Sequence, residues 1–345
     1  MGLLYVILFV LILTYAGAYA AVPAPDYHTA SPNRMLRLDK DVEMEERIDP
    51  KNPIPSMENY ARKVKDSVSQ SWISSSLAKE TNPMVVFNSL NLQKAGKHLD
   101  EVPMFYQWLE YVNLYRLQRR DESFGDPYML HLFQKAMSDN DAVTLVHKIR
   151  QVPGMKDSAD TMQYLLFLNS EATHKQMINT WLQSGLHPEE VFKILRLKTT
   201  PFEYTSLFIQ WFTYTNKYRA TLVDISDAHL LRFMEKQYLT MDIYEFTPLF
   251  QSMKDIPGLK TMAHNMQALI FKQLAKRKIN PYSVAVAVAP NFTRLPREGP
   301  AYEAWEAYTL FYAKHNGEDM LAKVTKSFAD GNPQGALEAV RLHAL

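Results

Sequence analysis

Hydrophobic positions change their rhythm along the 345 residues. Leu3 to Thr14 is an almost unbroken apolar run. Residues 21–57 are polar and rich in proline (Pro23, Pro25, Pro32, Pro50, Pro53, Pro55). They show no sustained periodicity, which predicts disorder. From Glu58 onward apolar residues recur at helical spacing, and the text begins to repeat itself. Trp108-x2-Tyr111-x3-Tyr115 returns as Trp211-x2-Tyr214-x3-Tyr218 and as Trp305-x2-Tyr308-x3-Tyr312, at offsets of 211 − 108 = 103 and 305 − 211 = 94. Spacing of i, i+3, i+7 sets the three rings of each copy on one helix face.

A second pattern precedes each stripe. Pro83, Pro188 and Pro281 stand three residues before Val86, Val191 and Val284, and seven before Leu90, Leu195 and Val288. Proline suits the first turn of a helix, and those positions share its buried face. Val284 to Ala289 alternates Val and Ala like a strand, but its place in the repeat predicts a helix. A third pattern joins the copies: Val152-Pro153-Gly154-Met155-Lys156 matches Ile256-Pro257-Gly258-Leu259-Lys260 at 257 − 153 = 104. Met162-Gln163-Tyr164-Leu165-Leu166-Phe167 matches Met266-Gln267-Ala268-Leu269-Ile270-Phe271 at the same offset.

These patterns predict an all-α chain of three tandem units, 58–157, 158–260 and 261–345, of about five helices each. Helices are expected near 58–79, 83–93, 103–119, 127–138 and 141–152. In unit two they are expected near 160–183, 188–198, 201–219, 227–239 and 243–255. In unit three they are expected near 261–277, 281–289, 300–315, 318–329 and 334–343. A unit that buries its own core and stacks on its neighbours predicts a helical-repeat rod.

Composition narrows the function classes. The body is globular, with 47% hydrophobic and 22% charged residues. A net charge of +1 supplies no large field toward nucleic acid or anionic membrane. The chain has no cysteine, which excludes disulfides, zinc-thiolate sites and thiol nucleophiles. Residues 1–20 read as a signal peptide, because small residues and Ala18-Tyr19-Ala20 follow the apolar run. No later segment has the length and apolarity to span a bilayer, so no membrane contact is expected after cleavage.

The aromatic stripes, present in every copy, read as repeat core and not as a ligand cage, since a catalytic site is rarely triplicated. Trp72 and Trp181, 11 and 7 residues before Pro83 and Pro188, are expected to pack on the stripes. Leu274 stands 7 before Pro281 and is expected to keep the apolar contact while losing the ring stacking. The 10 histidines have no metal-ligand spacing, and no phosphate-loop or nucleophile-elbow motif occurs. No catalytic residue, metal or cofactor is expected. Lys276-Arg277-Lys278 and Arg119-Arg120 are too short for a nucleic-acid patch and read as helix ends. Asn291-Phe292-Thr293 is a formal glycosylation sequon.

Arg34-Met35-Leu36-Arg37 followed by Glu45-Glu46-Arg47, behind a signal peptide, resembles the RxLR–EER leader of Phytophthora and downy-mildew effectors, placed here at 21–57. Trp181 to Leu197 is similar to that family's W motif and Trp211 to Tyr218 to its Y motif, with Leu165 and Leu269 where its LWY variant has an L helix. The resemblance implies one WY unit followed by two LWY units. Its departures are the four extra residues between Trp72 and Pro83, and Leu274 in place of Trp. It implies secretion and delivery into plant cells, most often to the cytoplasm, and suppression of immunity by binding host proteins without enzymatic activity. A narrower implication is recruitment of a host serine/threonine phosphatase through its scaffold subunit. The partner-binding residues are not legible in the sequence. Two alternatives stay open: a hydrolase or transferase with an inter-unit site, and an extracellular structural protein.

Overall fold

The computed structural model describes residues 71–119, 124–199, 205–288 and 298–341, and these contain helices and no strand. The first series is α1 (Ser71–Ala78), α2 (Pro83–Ser89), α3 (Pro103–Arg119), α4 (Asp126–Ala136) and α5 (Asp139–Ile149). The second is α6 (Lys156–Asn169), α7 (His174–Gln183), α8 (Pro188–Ile194), α9 (Thr205–Thr221), α10 (Asp227–Gln237) and α11 (Thr247–Met253). The third is α12 (Lys260–Lys276), α13 (Pro281–Val288), α14 (Pro300–His315), α15 (Glu318–Ala329) and α16 (Pro333–Arg341).

Local chemistry sets many of the ends. Pro83 and Pro188 occupy the first turns of α2 and α8, where a missing N–H costs nothing. Asn82, Ser138 and Ser226 accept hydrogen bonds from the first-turn amides of Met84, Asp141 and His229. Val284 and Ala285 are buried on the helix α13, so the alternating stretch is helical as far as Val288. The third series keeps the expected positions to within two residues, as α12 to α16 show.

Elsewhere the helices are cut shorter than the periodicity predicts. The expected helix at 83–93 ends at Ser89, and a 3-10 segment, Leu92–Glu101, carries the chain to α3. Asn91 and Gly96 sit there in the left-handed region. The expected helix at 160–183 is two helices, α6 and α7, parted by the 3-10 turn Glu171–Thr173. The Thr173 hydroxyl donates to the Ser170 carbonyl at 2.7 Å, and His174 stacks on Phe167 with centroids 3.9 Å apart. This local bonding satisfies the turn and re-aims α7 toward α5, against which it packs. Near 243–255 the 3-10 turn Ile243–Phe246, opened by an Asp242–Glu245 capping box, precedes α11.

Each series holds its own cluster of aromatic contacts, and the buried side chains of all three join in one continuous core. Between the series, α6 packs on α4 and α5, and α12 packs on α10 and α11. The Pro-Gly links that join them turn at Gly154 and Gly258, with φ of +80° and +81°. Such values favour glycine because it has no Cβ. Asn216 of α9 donates to the Gly258 carbonyl at 3.0 Å, and Asn113 of α3 lies against Gly154. The tryptophan-to-tyrosine helix of a series thereby holds the link that leaves it.

Candidate functional site

Two sets of residues were singled out by the sequence. The leader residues Arg34, Met35, Leu36, Arg37, Glu45, Glu46 and Arg47, with the signal segment before them, lie outside the described residues. The aromatic stripes are well described. Trp108, Tyr111, Tyr115, Trp211, Tyr214, Tyr218, Trp305, Tyr308 and Tyr312 are all buried.

Each stripe makes the same two bonds to main chain. The indole N–H of Trp108 donates to the carbonyl of Pro83 at 2.8 Å, that of Trp211 to Pro188 at 2.8 Å, and that of Trp305 to Pro281 at 3.1 Å. The hydroxyls of Tyr111, Tyr214 and Tyr308 donate to the carbonyls of Thr81, Leu186 and Ile279. Those three carbonyls each stand two residues before the helix-opening proline (83 − 81, 188 − 186, 281 − 279). They precede the helix and have no partner within it, so the tyrosine satisfies an acceptor that burial would leave without one. Burial raises the Tyr111 hydroxyl pKa to about 12 and pushes those of Tyr214 and Tyr308 up as well, with Tyr115, Tyr218 and Tyr312 adding to it. All three hydroxyls therefore stay protonated donors.

The ring that meets the tyrosine differs from unit to unit. In the second, Trp181 meets Tyr214 edge-on at 5.6 Å and its indole donates to the buried Gln163 at 2.5 Å. In the first, half-buried Trp72 lies 5.9 Å from Tyr111 and donates to Gln107. Ser76, at 83 − 76 = 7, occupies the place of Trp181: its carbonyl lies 3.4 Å from the Tyr111 hydroxyl, as the Trp181 carbonyl lies 3.5 Å from Tyr214. The extra four residues thus move the tryptophan back by about one helical turn. In the third unit, Leu274 is buried but the ring contact is not lost as expected. Phe271, one turn earlier on α12, meets Tyr308 at 5.2 Å. The continuous helix α12 makes this possible, because it merges elements that the second unit keeps apart.

The first junction is ionic. Arg150, with 8% of its side chain exposed, bonds Asp160 of α6 at 2.6 Å and Glu190 of α8 at 2.8 Å. Lys156 reaches the same two carboxylates, and Lys193 bonds Glu190 at 2.7 Å. The Lys193 hydrogen bond outweighs desolvation and holds the Glu190 pKa down to about 2. His147, buried beside this cluster, has its pKa lowered to about 4 by desolvation and by the Arg150 charge. At the second junction the residues 104 later are Gln251, Lys254 and His264 in place of His147, Arg150 and Asp160. There Lys254 donates to Gln251 at 2.8 Å and Gln267 at 2.5 Å, an amide cage instead of an ion pair. A recurrent arginine clamps both junctions. Arg116 bonds Asp126 and Ser158 of α6, and Arg219 bonds Asp227, which also accepts from Asn265 of α12.

Beside that second clamp lies a shallow groove of about 310 Å³ between α10 and α12, lined by Asp227, Ala228, Asn265, Ala268, Leu269 and Lys272. Nothing in the periodicity pointed to it; the substitution of Tyr164 by Ala268 in the matched hexapeptides was the available signal. Among the described residues, no group of three His, Cys, Asp or Glu side chains is placed to hold a metal, and no helix is long and apolar enough to cross a membrane.

Residues 114–164 match the family described as RXLR phytopathogen effector protein WY-domain, and residues 69–112 match the WY-domain of effector PexRD54. The chain is 38% identical over 294 residues to the RxLR effector protein PexRD18 of Phytophthora infestans, covering 82% of this chain and 61% of that protein. It is 42% identical over 188 residues to RxLR effector protein 54 of the same species, covering 53% of this chain and 49% of that protein. It therefore spans about half to three fifths of these relatives' lengths. A crystal structure of the RXLR effector PexRD54 from P. infestans is 41% identical, covers 53% of this chain and 68% of that one, and superposes with a TM-score of 0.45. The chain belongs to the RxLR effectors of oomycete plant pathogens, secreted proteins carrying WY domains.

Proposed function

We propose that this chain acts inside the host plant cell as a non-enzymatic adaptor that suppresses immunity by binding host proteins, with units 58–157, 158–260 and 261–345 as its modules. The supporting observation is where the buried polar chemistry goes. In each unit the stripe's indole and first tyrosine hydroxyl are consumed by main-chain carbonyls, and the strongly shifted titratable groups are tyrosines and junction residues held by burial or by salt bridges. Such groups build a scaffold and leave function to its surface. The relatives carry the names of effector proteins, in keeping with this reading. The narrower form of the proposal is recruitment of a host serine/threonine phosphatase core through its scaffold subunit, with cytoplasmic action; the tandem order of units supports it. Expression of residues 21–345 in plant cells, affinity purification and mass spectrometry test both levels. Recovery of a phosphatase scaffold with its catalytic subunit is the expected result of the narrower form. A different reproducible partner removes the phosphatase and keeps the adaptor. Recovery of no host protein defeats the adaptor.

A further inference from the structure

The groove between α10 and α12 exists because the repeat departs from itself there. Residues Asn265, Ala268 and Lys272 stand 104 after Thr161, Tyr164 and Leu168. In the earlier unit Tyr164 supplies a ring, Arg196 lies over it at 4.7 Å, and Arg196 donates to Thr161 at 3.0 Å. With alanine at 268 that ring is missing, and a floor of Ala228, Ala268 and Leu269 lies open. The apolar Leu168 is replaced by the exposed cation Lys272.

The groove's charge is one-sided. Asp227 is already spent, since one carboxylate oxygen accepts from Arg219 at 2.6 Å and the other from Asn265 at 2.8 Å. Among the described residues, Lys272 has no carboxylate within ion-pair distance. The same holds one turn further along each helix for the exposed Arg232 of α10 and Lys276 of α12. The guanidinium of Arg232 folds back to the Ala228 carbonyl at 3.2 Å, which keeps it on the groove side of α10. Glu235 is the neighbouring anion, and it faces Arg277 at 3.7 Å. Unpaired cations flanking a small apolar floor, on a chain whose net charge is only +1, form a local positive field over a cleft.

We infer that this groove is a docking site for an acidic segment of a partner protein, with a small aliphatic side chain seated on Ala268 and Leu269 and carboxylates meeting Lys272, Lys276 and Arg232. The inference rests on the adaptor reading and names the chemistry of one partner contact. Charge complementarity selects the occupant. Nucleic acid fits worse, because none of the lining residues is aromatic and no base could stack there. An aliphatic anchor with flanking acids is what an amphipathic helix laid between two helices presents.

The test uses residues 21–345 and a fluorescent peptide of repeated Leu-Glu-Glu-Ala blocks, read by anisotropy across a salt series. Ala268→Tyr restores the ring of the earlier unit, and Lys272→Leu restores its apolar neighbour. Both positions are exposed, so thermal melting is expected to match the parent. Salt-sensitive binding by the parent, weakened about tenfold or more by either variant and unchanged by Lys323→Ala on α15, is the expected result. Binding indifferent to Ala268→Tyr overturns the site. So does preferential binding of single-stranded DNA, or a self-association that Ala268→Tyr abolishes. Comparing the host proteins recovered by parent and Ala268→Tyr separates the two readings. An unchanged host set overturns the groove's role and leaves the adaptor standing, whereas recovery of no host protein by either chain defeats the adaptor and leaves the peptide measurement to judge the groove.

Discussion

The hydroxyl of Tyr214 donates to the carbonyl oxygen of Leu186, 28 positions earlier in the chain. That bond ties the stripe helix α9 to the loop that enters α8, while Trp211 on the same face ties the first residue of α8 itself. Two bonds at fixed spacing therefore fix both the distance and the register between two helices. Tyr111 with Thr81, and Tyr308 with Ile279, do the same in the other units. Paired helices of this kind explain why surface positions can vary while each core keeps its geometry.

Removing the hydroxyl alone isolates that bond. Tyr214→Phe keeps the ring against Trp181 and leaves the Leu186 carbonyl without its donor, which is expected to cost about 1–3 kcal/mol. Tyr214→Ala or Trp211→Ala also empties the ring site and is expected to cost about 3–5 kcal/mol. Urea unfolding measures all three. A Phe variant as unstable as the Ala variant contradicts the division between bond and ring.

The third unit yields a prediction about ring placement. Phe271→Ala is expected to destabilise by about 3–5 kcal/mol, because Phe271 carries the ring contact to Tyr308. Leu274→Trp, which restores the residue of the second unit, is expected to destabilise by about 1–3 kcal/mol through overpacking of a buried position. A stabilising Leu274→Trp in thermal melts contradicts the assignment of the ring to Phe271.

Junction one is expected to weaken in acid in two stages. His147 has a folded pKa of about 4, below its ordinary 6.5, so the unfolded chain binds the extra proton. Its contribution is fully present above pH 6.5 and is lost as pH falls toward 4. Glu190, with a folded pKa of about 2, contributes above its ordinary 4.5 and loses that contribution between 4.5 and 2. Gln251 stands at the place of His147 one unit later. His147→Gln is accordingly expected to flatten the melting temperature between pH 6.5 and 4 and to leave the lower stage intact.

The two link glycines are expected to differ when a Cβ is added. Gly154→Ala and Gly258→Ala both meet the strain of a positive φ, about 1–2 kcal/mol. At Gly154 the new Cβ also falls 2.9 Å from the Asn113 amide nitrogen, whereas at Gly258 nothing lies within 4 Å. Gly154→Ala should therefore be the more destabilising in parallel urea titrations.

Much of the architecture is legible in the sequence. The stripes at 108, 211 and 305, the prolines at 83, 188 and 281 and the Pro-Gly links each report a local cause: helical periodicity, a first-turn residue, a left-handed turn. Causes of that kind are written in neighbouring residues. The leader motif is read from the sequence alone and lies outside the described residues. What the sequence misplaced depended on partners far along the chain. The break at Ser170 follows from where α7 must meet α5, and Phe271 replaces a tryptophan because α12 runs on unbroken. Trp72 packs on Tyr111 as expected, and Ser76 takes the backbone position that Trp181 holds in the second unit. The groove required three-dimensional placement above all, since Ala268 and Ala228 stand 40 positions apart and become one floor only when α10 and α12 lie side by side. The sequence by itself determined the helices, their repeat and the residues that close each core, because those follow from short-range spacing. Tertiary structure decided which ring meets which, how the junctions are charged and where the surface opens, because those depend on distances between segments that sequence order does not specify.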